Sequence, residues 1–342
     1  MGFLMSNLFK KAAVFTDIHF GLKSDSVIHN SDCMEFIDWF IDTAKKQGCE
    51  TGMFLGDWHH NRASINIRTL QYSMLALEKL SNAFERFYFI VGNHDSFLKN
   101  SRVINSLEWA KHMENIVLCD NWLSEGDVTI VPWIVEDEHK RIQKIKSKYV
   151  FGHFELPHFK MNSLVTMPDH GSIRTEDFDK IEKVFSGHFH LRQCKNNIHY
   201  IGNAFPHNFS DTGDDQRGCM ILEWGNEQTY HAWPNQPLYS STKLSTLIDT
   251  APTILKSNMH VKVDLDIDIS YEEANFIKDT FVRDYSLREM TLIPIKNNQV
   301  DIDLAPGEVV FESIDQIVTS QLTNITSEFY DPKLLLSIYQ NL

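Results

Sequence analysis

Five times along this chain an apolar, β-rich run ends in a polar cluster drawn from Asp, Asn and His. Asp17-Ile18-His19 follows the run Ala12–Thr16, Gly56-Asp57 follows Gly52–Leu55, and Gly92-Asn93-His94-Asp95 follows Phe87–Val91. Gly152-His153 follows Tyr149–Phe151, and Gly187-His188-Phe189-His190 follows Val184–Phe185. A chain written this way has to fold so that several strand ends serve one site. Cys33–Ala44, Ile65–Phe84 and Val103–Met113 carry apolar residues at helical spacing. Further strands are expected at Ile116–Leu118, Val128–Ile134, His199–Ile201 and Cys219–Glu223. Strand–helix alternation followed by a strand-rich stretch predicts an α/β fold, a sandwich of two sheets flanked by helices.

The clusters suit a metal. A D-x-H or H-x-H pair on an extended segment points both side chains to one side, where both reach a single ion. Glycine ahead of a ligand removes a Cβ and permits the bend that aims the next side chain. Imidazole, carboxylate and an Asn carbonyl, without thiolate, favour Mn, Fe or Zn over Cu(I) or an iron–sulfur cluster. A shared carboxylate can bridge two ions about 3.5–4 Å apart, the spacing of two-metal sites that hydrolyse phosphate esters. One such cluster is an ordinary turn; five in this arrangement are not.

Taken in order, D-x-H, G-D, G-N-H-D, G-H and G-H-x-H resemble the signature of the calcineurin-like metallophosphoesterases. Asp17-Ile18-His19-Phe20-Gly21 and Gly187-His188-Phe189-His190 are similar to the SbcD branch, the nucleases of DNA double-strand-break repair. The early helices and the acidic tail look like the compact phage version of that branch. These motifs lie between residue 12 and about residue 225, and beyond residue 240 the resemblance is architectural.

That resemblance implies a two-sheet metallophosphoesterase sandwich with a smaller α+β C-terminal capping domain and C-terminal helices. One metal would be held by Asp17, His19, Asp57 and His190, and a second by Asp57, Asn93, His153 and His188. The ions expected are Mn2+ first, with Mg2+, Fe2+ or Zn2+ as alternatives. His94 would sit at the scissile phosphate, stabilising charge or protonating the leaving oxygen, with Asp95 orienting it. A family histidine three residues after the bridging aspartate falls on His60. His59 beside it competes for that role, and the plain alternative for His60 is a surface histidine at a helix start. The implied activity is a Mn-dependent DNA exo- and endonuclease, the catalytic subunit of an SbcD–SbcC-like recombination and repair complex. Its partners would be DNA, a coiled-coil ABC-type ATPase, and a second copy of the chain joined through Ile65–Phe84 and Val103–Met113. The same motifs would serve a phosphodiesterase or phosphatase acting on nucleotides or phosphoproteins. A catalytically silent scaffold is a third reading, but a scaffold has no need to keep every ligand.

Charge bears on the substrate. The 342 residues carry a formal net charge of −14, so any DNA contact has to come from a local patch or a partner. Arg62, Arg68, Lys99 and Arg102, close in sequence to the metal loops, are the candidate phosphate contacts. Five cysteines without a C-x-x-C pair fit a reducing compartment, the host cytoplasm if the chain is phage-encoded. No apolar run approaches the roughly 18 residues that span a bilayer. All seven tryptophans and fifteen of sixteen histidines precede residue 235, whereas residues 241–342 alone carry a net −8. This shift divides the chain into a nuclease domain over 1–235, a connector over 236–258, a capping domain over 259–310 and a helical partner-binding segment over 311–342. In the capping domain a strand over His260–Ile267, a helix over Tyr271–Val282 and a strand over Met290–Ile295 predict a βαβ-like unit. Amphipathic helices over Ile314–Ile325 and Pro332–Leu342 are expected to dock on the ATPase.

Overall fold

Alternation along the strands sorts the hydrophobic side chains into layers. The computed structural model describes residues 7–161, 165–171 and 173–294. In β1 (Lys11–Phe15), Ala13 and Phe15 face a helical layer, while Ala12 and Val14 face a second sheet. β1 runs parallel to β2 (Thr51–Phe54), which is followed by β3 (Arg86–Ile90) and β6 (Ile116–Cys119), also parallel. β13 (Gly218–Glu223) and β14 (Thr229–Ala232) extend the other edge antiparallel, giving the order β14-β13-β1-β2-β3-β6. Near-continuous burial along β1 to β3 is what a parallel sheet covered on both faces requires.

The helices on the first sheet form for local reasons. After a single turn, α1 (Leu22–Asp25), the helix α2 (Val27–Lys46) starts where Ser26 accepts a hydrogen bond from the backbone N–H of His29. α2 buries Cys33, Phe36, Ile37, Phe40 and Ala44 at helical spacing. α3 (Ile67–Ala83) is capped by Asn66 and buries Ala76, Leu77 and Leu80. Both stripes pack in one cluster with Phe15, Phe54, Phe87 and Phe89.

The second sheet has the order β11-β12-β10-β9-β8-β7. It comprises β7 (Leu123–Glu125), β8 (Val128–Val131), β9 (Tyr149–His153), β10 (Lys183–Gly187), β11 (Gln193–Lys195) and β12 (Ile198–Tyr200). Val128, Ile130, Tyr149, Phe151 and Phe185 meet Val14, Met53, Leu55 and Tyr88 between the sheets. Val131, Val150, Val184 and Tyr200 face outward onto irregular chain around Phe154, Phe159 and Phe178. The expected two-sheet sandwich is therefore present. Its helices cover the first sheet, while loops and 3-10 turns cover the second.

Two expectations need correction. Val103–Met113 is not an α-helix: β4 (Ser96–Leu98) and β5 (Ser101–Asn105) form a hairpin, and a 3-10 turn follows at Glu108–His112. Val103 and Ile104, which look like part of a helical stripe, are 88% and 66% exposed on the hairpin. The stretch 236–258 is not a bare connector either. It holds the whole of β15 (Leu238–Lys243) and α4 (Leu244–Ile254), whose Leu244, Leu247 and Ala251 are buried.

The chain divides into two compact units at residues 240 and 241. In the second, β16 (Met259–Leu265) buries alternate residues as its pattern predicts and pairs in parallel with β17 (Glu289–Pro294). The connecting helix α5 (Tyr271–Asp284) begins with a capping box, Ser270 and Glu273 satisfying each other's backbone N–H groups. The three-stranded order is β15-β16-β17. The segment expected to bind a partner, 311–342, lies outside the described residues. No helix among the described residues is long and apolar enough to cross a membrane.

Candidate metal centre

The C-terminal ends of β1, β2, β3, β9 and β10 carry the five polar clusters, and the fold brings them together. Asp17, His19, Asp57 and His188 all have positive φ, between 51° and 86°. Each such non-glycine residue costs about 1–3 kcal/mol, so the surrounding structure must hold these turns in place. Glycine acts here mainly by leaving room. A Cβ on Gly92 would lie 2.4 Å from the Asp57 backbone nitrogen, and one on Gly187 would lie 2.1 Å from Thr16 Oγ1.

Asp17 and His19 anchor one half of the site. Asp17 is fully buried; Thr16 Oγ1 donates to its Oδ2 at 2.7 Å and the His188 backbone N–H at 3.0 Å. His19 Nε2 lies 3.9 Å from Asp17 Oδ1 and 3.8 Å from Asp57 Oδ2, and His190 Nε2 lies 3.9 Å from Asp17 Oδ1. These gaps are too long for hydrogen bonds, and both ring nitrogens of His19 are buried without a partner. Burial holds His19 well below its ordinary pKa, in the neutral form a metal ligand needs. A buried imidazole between two carboxylates, with no hydrogen bond of its own, is a donor set that fits a divalent ion.

Asn93, His153 and His188 form the other half around Asp57. Asn93 Oδ1 lies 3.0 Å from both His153 Nε2 and His188 Nδ1, and His153 Nε2 lies 3.3 Å from Asp57 Oδ2. The Nδ1–H of His153 donates to the Leu55 carbonyl at 2.7 Å, which leaves Nε2 turned toward Asn93 and Asp57. Burial opposes the charge on both partners. Even so, the Asp57 carboxylate raises His153 to about 9, and His153 with His19 holds Asp57 well below the usual carboxylate range. Asp17, His19 and Asp57 form one group able to hold a divalent ion, and Asp57, His153 and His188 form another. Asp57 belongs to both.

The catalytic candidates fall differently from expectation. Asp95 does not orient His94. Its Oδ1 accepts the backbone N–H of Trp58 and His59, and its Oδ2 accepts those of Asp57 and Gly92. This buried carboxylate therefore clamps the loop after β2 to the loop after β3. Burial, with the Asp57 charge nearby, raises it to about 7 despite those four bonds. His94 is oriented instead by the main chain: its Nδ1–H donates to the His60 carbonyl at 2.7 Å, and its backbone N–H donates to Asp57 Oδ1 at 2.8 Å. His60, not His59, stands at the site, its ring stacked 5.4 Å from that of His94. His59 is 1% exposed and bonded through both ring nitrogens, to Ser106 Oγ at 2.7 Å and Ser73 Oγ at 2.8 Å.

Arg102 is also reassigned. It is 7% exposed, forks onto Glu138 at 2.7 and 2.8 Å, and donates to the Asp120 and Trp133 carbonyls. A guanidinium so fully engaged stays with the protein rather than meeting a phosphate. Arg68 and Lys99 are exposed and Arg62 is half-buried, so these three stay open to a phosphate.

Two histidines escaped the sequence reading. His29 on α2 donates from Nε2 to the His19 carbonyl at 2.9 Å and so supports that turn. His207, in the loop after β12, is 1% exposed and lies beside His19 and His190, with ring centroids 5.5 and 5.2 Å apart. Neither follows a strand directly, the one signal that marked the others.

Residues 10–192 match the family described as calcineurin-like phosphoesterase. Over 222 residues the chain is 27% identical to "Exonuclease subunit 1" of Enterobacteria phage T4, covering 62% of this chain and 64% of that relative. The match thus spans less than two thirds of the relative's length. Among solved structures, a dimetal phosphatase from Danio rerio aligns with a TM-score of 0.41 and 10% identity, covering 66% of this chain and 96% of that one. The Pseudomonas putida nuclease MPE aligns with a TM-score of 0.28 and 17% identity, covering 55% and 66%. Both structural likenesses are too loose to argue from.

Proposed function

We propose that this chain, which belongs to the calcineurin-like phosphoesterase family, is a DNA nuclease that hydrolyses phosphodiester bonds at the Asp57-centred site. The observation that carries the reading is one buried carboxylate shared by two groups of metal-binding side chains, with His94 tied to it through its backbone N–H. Asp17, His19, Asp57 and His190 would hold one ion, and Asp57, Asn93, His153 and His188 the other, Mn2+ being the ion proposed. When bound, such a pair supplies Lewis-acid activation of water and of the phosphate. The named relative, an exonuclease subunit, favours a nucleic acid over other phosphate esters.

The protein's own contribution centres on His94. Because Nδ1 keeps its proton on the His60 carbonyl, Nε2 is the nitrogen that exchanges one. In its protonated form Nε2 gives that proton to the departing deoxyribose oxygen. The Asp95 clamp keeps the loops of Asp57 and His94 in register while this happens. Degradation of linear duplex and single-stranded DNA in Mn2+ tests the reading. Wild type should cut, and His94→Ala should bind the same metal yet turn over about 10^2–10^4-fold more slowly. Hydrolysis of a small chromogenic diester without any attack on DNA, by the chain alone or with its ATPase partner, would leave a phosphodiesterase and end the nuclease reading.

The partners belong to the same proposal. The exposed apolar side chains of Ile67 on α3 (85% exposed) and Val103 on the β4–β5 hairpin (88% exposed) favour a second copy of this chain packing on these elements. The net charge of −14 favours a partner, an SbcC-type coiled-coil ATPase, that brings its own affinity for DNA. Sedimentation of the chain alone and with that ATPase checks both; a monomer that ignores the ATPase removes them.

A further inference from the structure

The loop after β12 is built to hold one imidazole still. Arg217, itself 1% exposed, ion-pairs with Asp214 at 2.8 Å, approaches Asp211 at 3.8 Å and donates to Asn203 Oδ1. Asp211 Oδ2 in turn accepts the backbone N–H of His207 at 2.7 Å. With Pro206 before it and this network after it, His207 has little freedom. Yet the side chain so carefully placed makes no hydrogen bond. Both ring nitrogens are buried without a partner, and one of them lies within 4.8 Å of the ligand atoms of His19 and His190. A structural histidine in a core satisfies its nitrogens, as His59 does with two serines.

We propose that His207 is a further ligand to the ion held by Asp17, His19, Asp57 and His190. The inference rests on the metal-centre reading above and deepens it. That half of the centre then presents three imidazoles with its carboxylates. The other half presents two imidazoles, the Asn93 amide and the shared Asp57. Nitrogen donors favour Zn2+, Fe2+ and Co2+ over the oxygen-preferring Mn2+ and Mg2+. The two halves therefore differ in metal preference, and His207 sets the difference.

The test reads metal, not cleavage. Metal-free wild type, His207→Leu and His207→Gln are titrated with Zn2+ and Mn2+ by calorimetry and with Co2+ by visible absorption, after thermal melts establish folding. Each variant should lose at least about 10–100-fold in Zn2+ affinity at one of two sites, since disturbing only the partner of a ligand already costs that much. The Co2+ spectrum of that site should change, while Mn2+ affinity shifts less. Unchanged Zn2+ affinity and an unchanged Co2+ spectrum in both folded variants would overturn the proposal. If neither variant folds, Zn2+-loaded wild-type crystals decide. A His207 nitrogen about 2.0–2.1 Å from zinc supports the assignment, and one beyond bonding distance removes it. Wild type that binds no ion at all would sink the metal centre itself, whereas bound metal without DNA cleavage would count only against the nuclease.

Discussion

The two halves of the candidate centre are finished to different degrees by the protein alone. Around Asn93 the polar atoms find one another: one amide oxygen meets two imidazoles at 3.0 Å, and His153 is pinned to the Leu55 carbonyl. Around Asp17 they do not, and His19 and His207 between them bury four ring nitrogens without partners. Hydrogen bonds keep the first half in shape when no ion is bound, and an ion would take over the same Asn93, His153 and His188 atoms. The second has polar groups that only an ion, or water, would satisfy. Affinity and stability are thus coupled differently on the two sides of Asp57.

The strongest way to break the comparison is to remove what the halves share. Asp57→Asn should weaken ion binding on both sides by more than the roughly 10–100-fold of an outer-shell change, and turnover should fall with it. Metal analysis after dialysis would expose the contrary result, one retained ion per chain.

Stability of the metal-free protein sharpens the contrast. Leaving a buried polar group unsatisfied costs about 1–3 kcal/mol. His207→Leu should therefore raise the stability of the metal-free chain by about that amount, even as it weakens the metal. Asn93→Ala, which deletes satisfied bonds, should lower stability by a similar amount. Denaturant melts in chelator check both, and two changes of the same sign would undo the distinction.

The smallest effect comes from His59, which belongs to neither half. Burial lowers it from 6.5 to about 3. Between those values the unfolded chain binds a proton that the folded chain refuses, so stability falls as pH drops below 6.5. At pH 5.5 the loss from this one group is about 1.4 kcal/mol. His59→Gln, which can still bond Ser73 and Ser106, should flatten the acid limb by that share. An identical pH profile in the variant would mean that other buried histidines carry the whole dependence.

Much of this was legible because strand ends are local. Asp17, His19, Asp57, Asn93, His153, His188 and His190 each sit just past an apolar run, and two-residue periodicity with a turn is enough to flag them. The layers of the sandwich were legible for the same reason, since β1 and β16 carry their burial in alternate residues. The hairpin at Ser96–Asn105 was not. Val103 and Ile104 are apolar without being buried, and spacing alone reads exposed and buried side chains alike.

By itself, then, the sequence determined the set of chemically competent side chains and the strands that deliver them, because both are written in neighbouring residues. The tertiary structure alone decided which polar group serves which partner. Asp95 binds backbone 36–38 residues away rather than the histidine beside it. Arg102 turns to Glu138 rather than outward. His59 and His60, adjacent in the chain, go to the core and to the site. His207 reaches His19 across 188 positions of sequence. In each case the outcome depends on which buried group is left unsatisfied once the sheets have packed, a property of the assembled interior that no local pattern encodes.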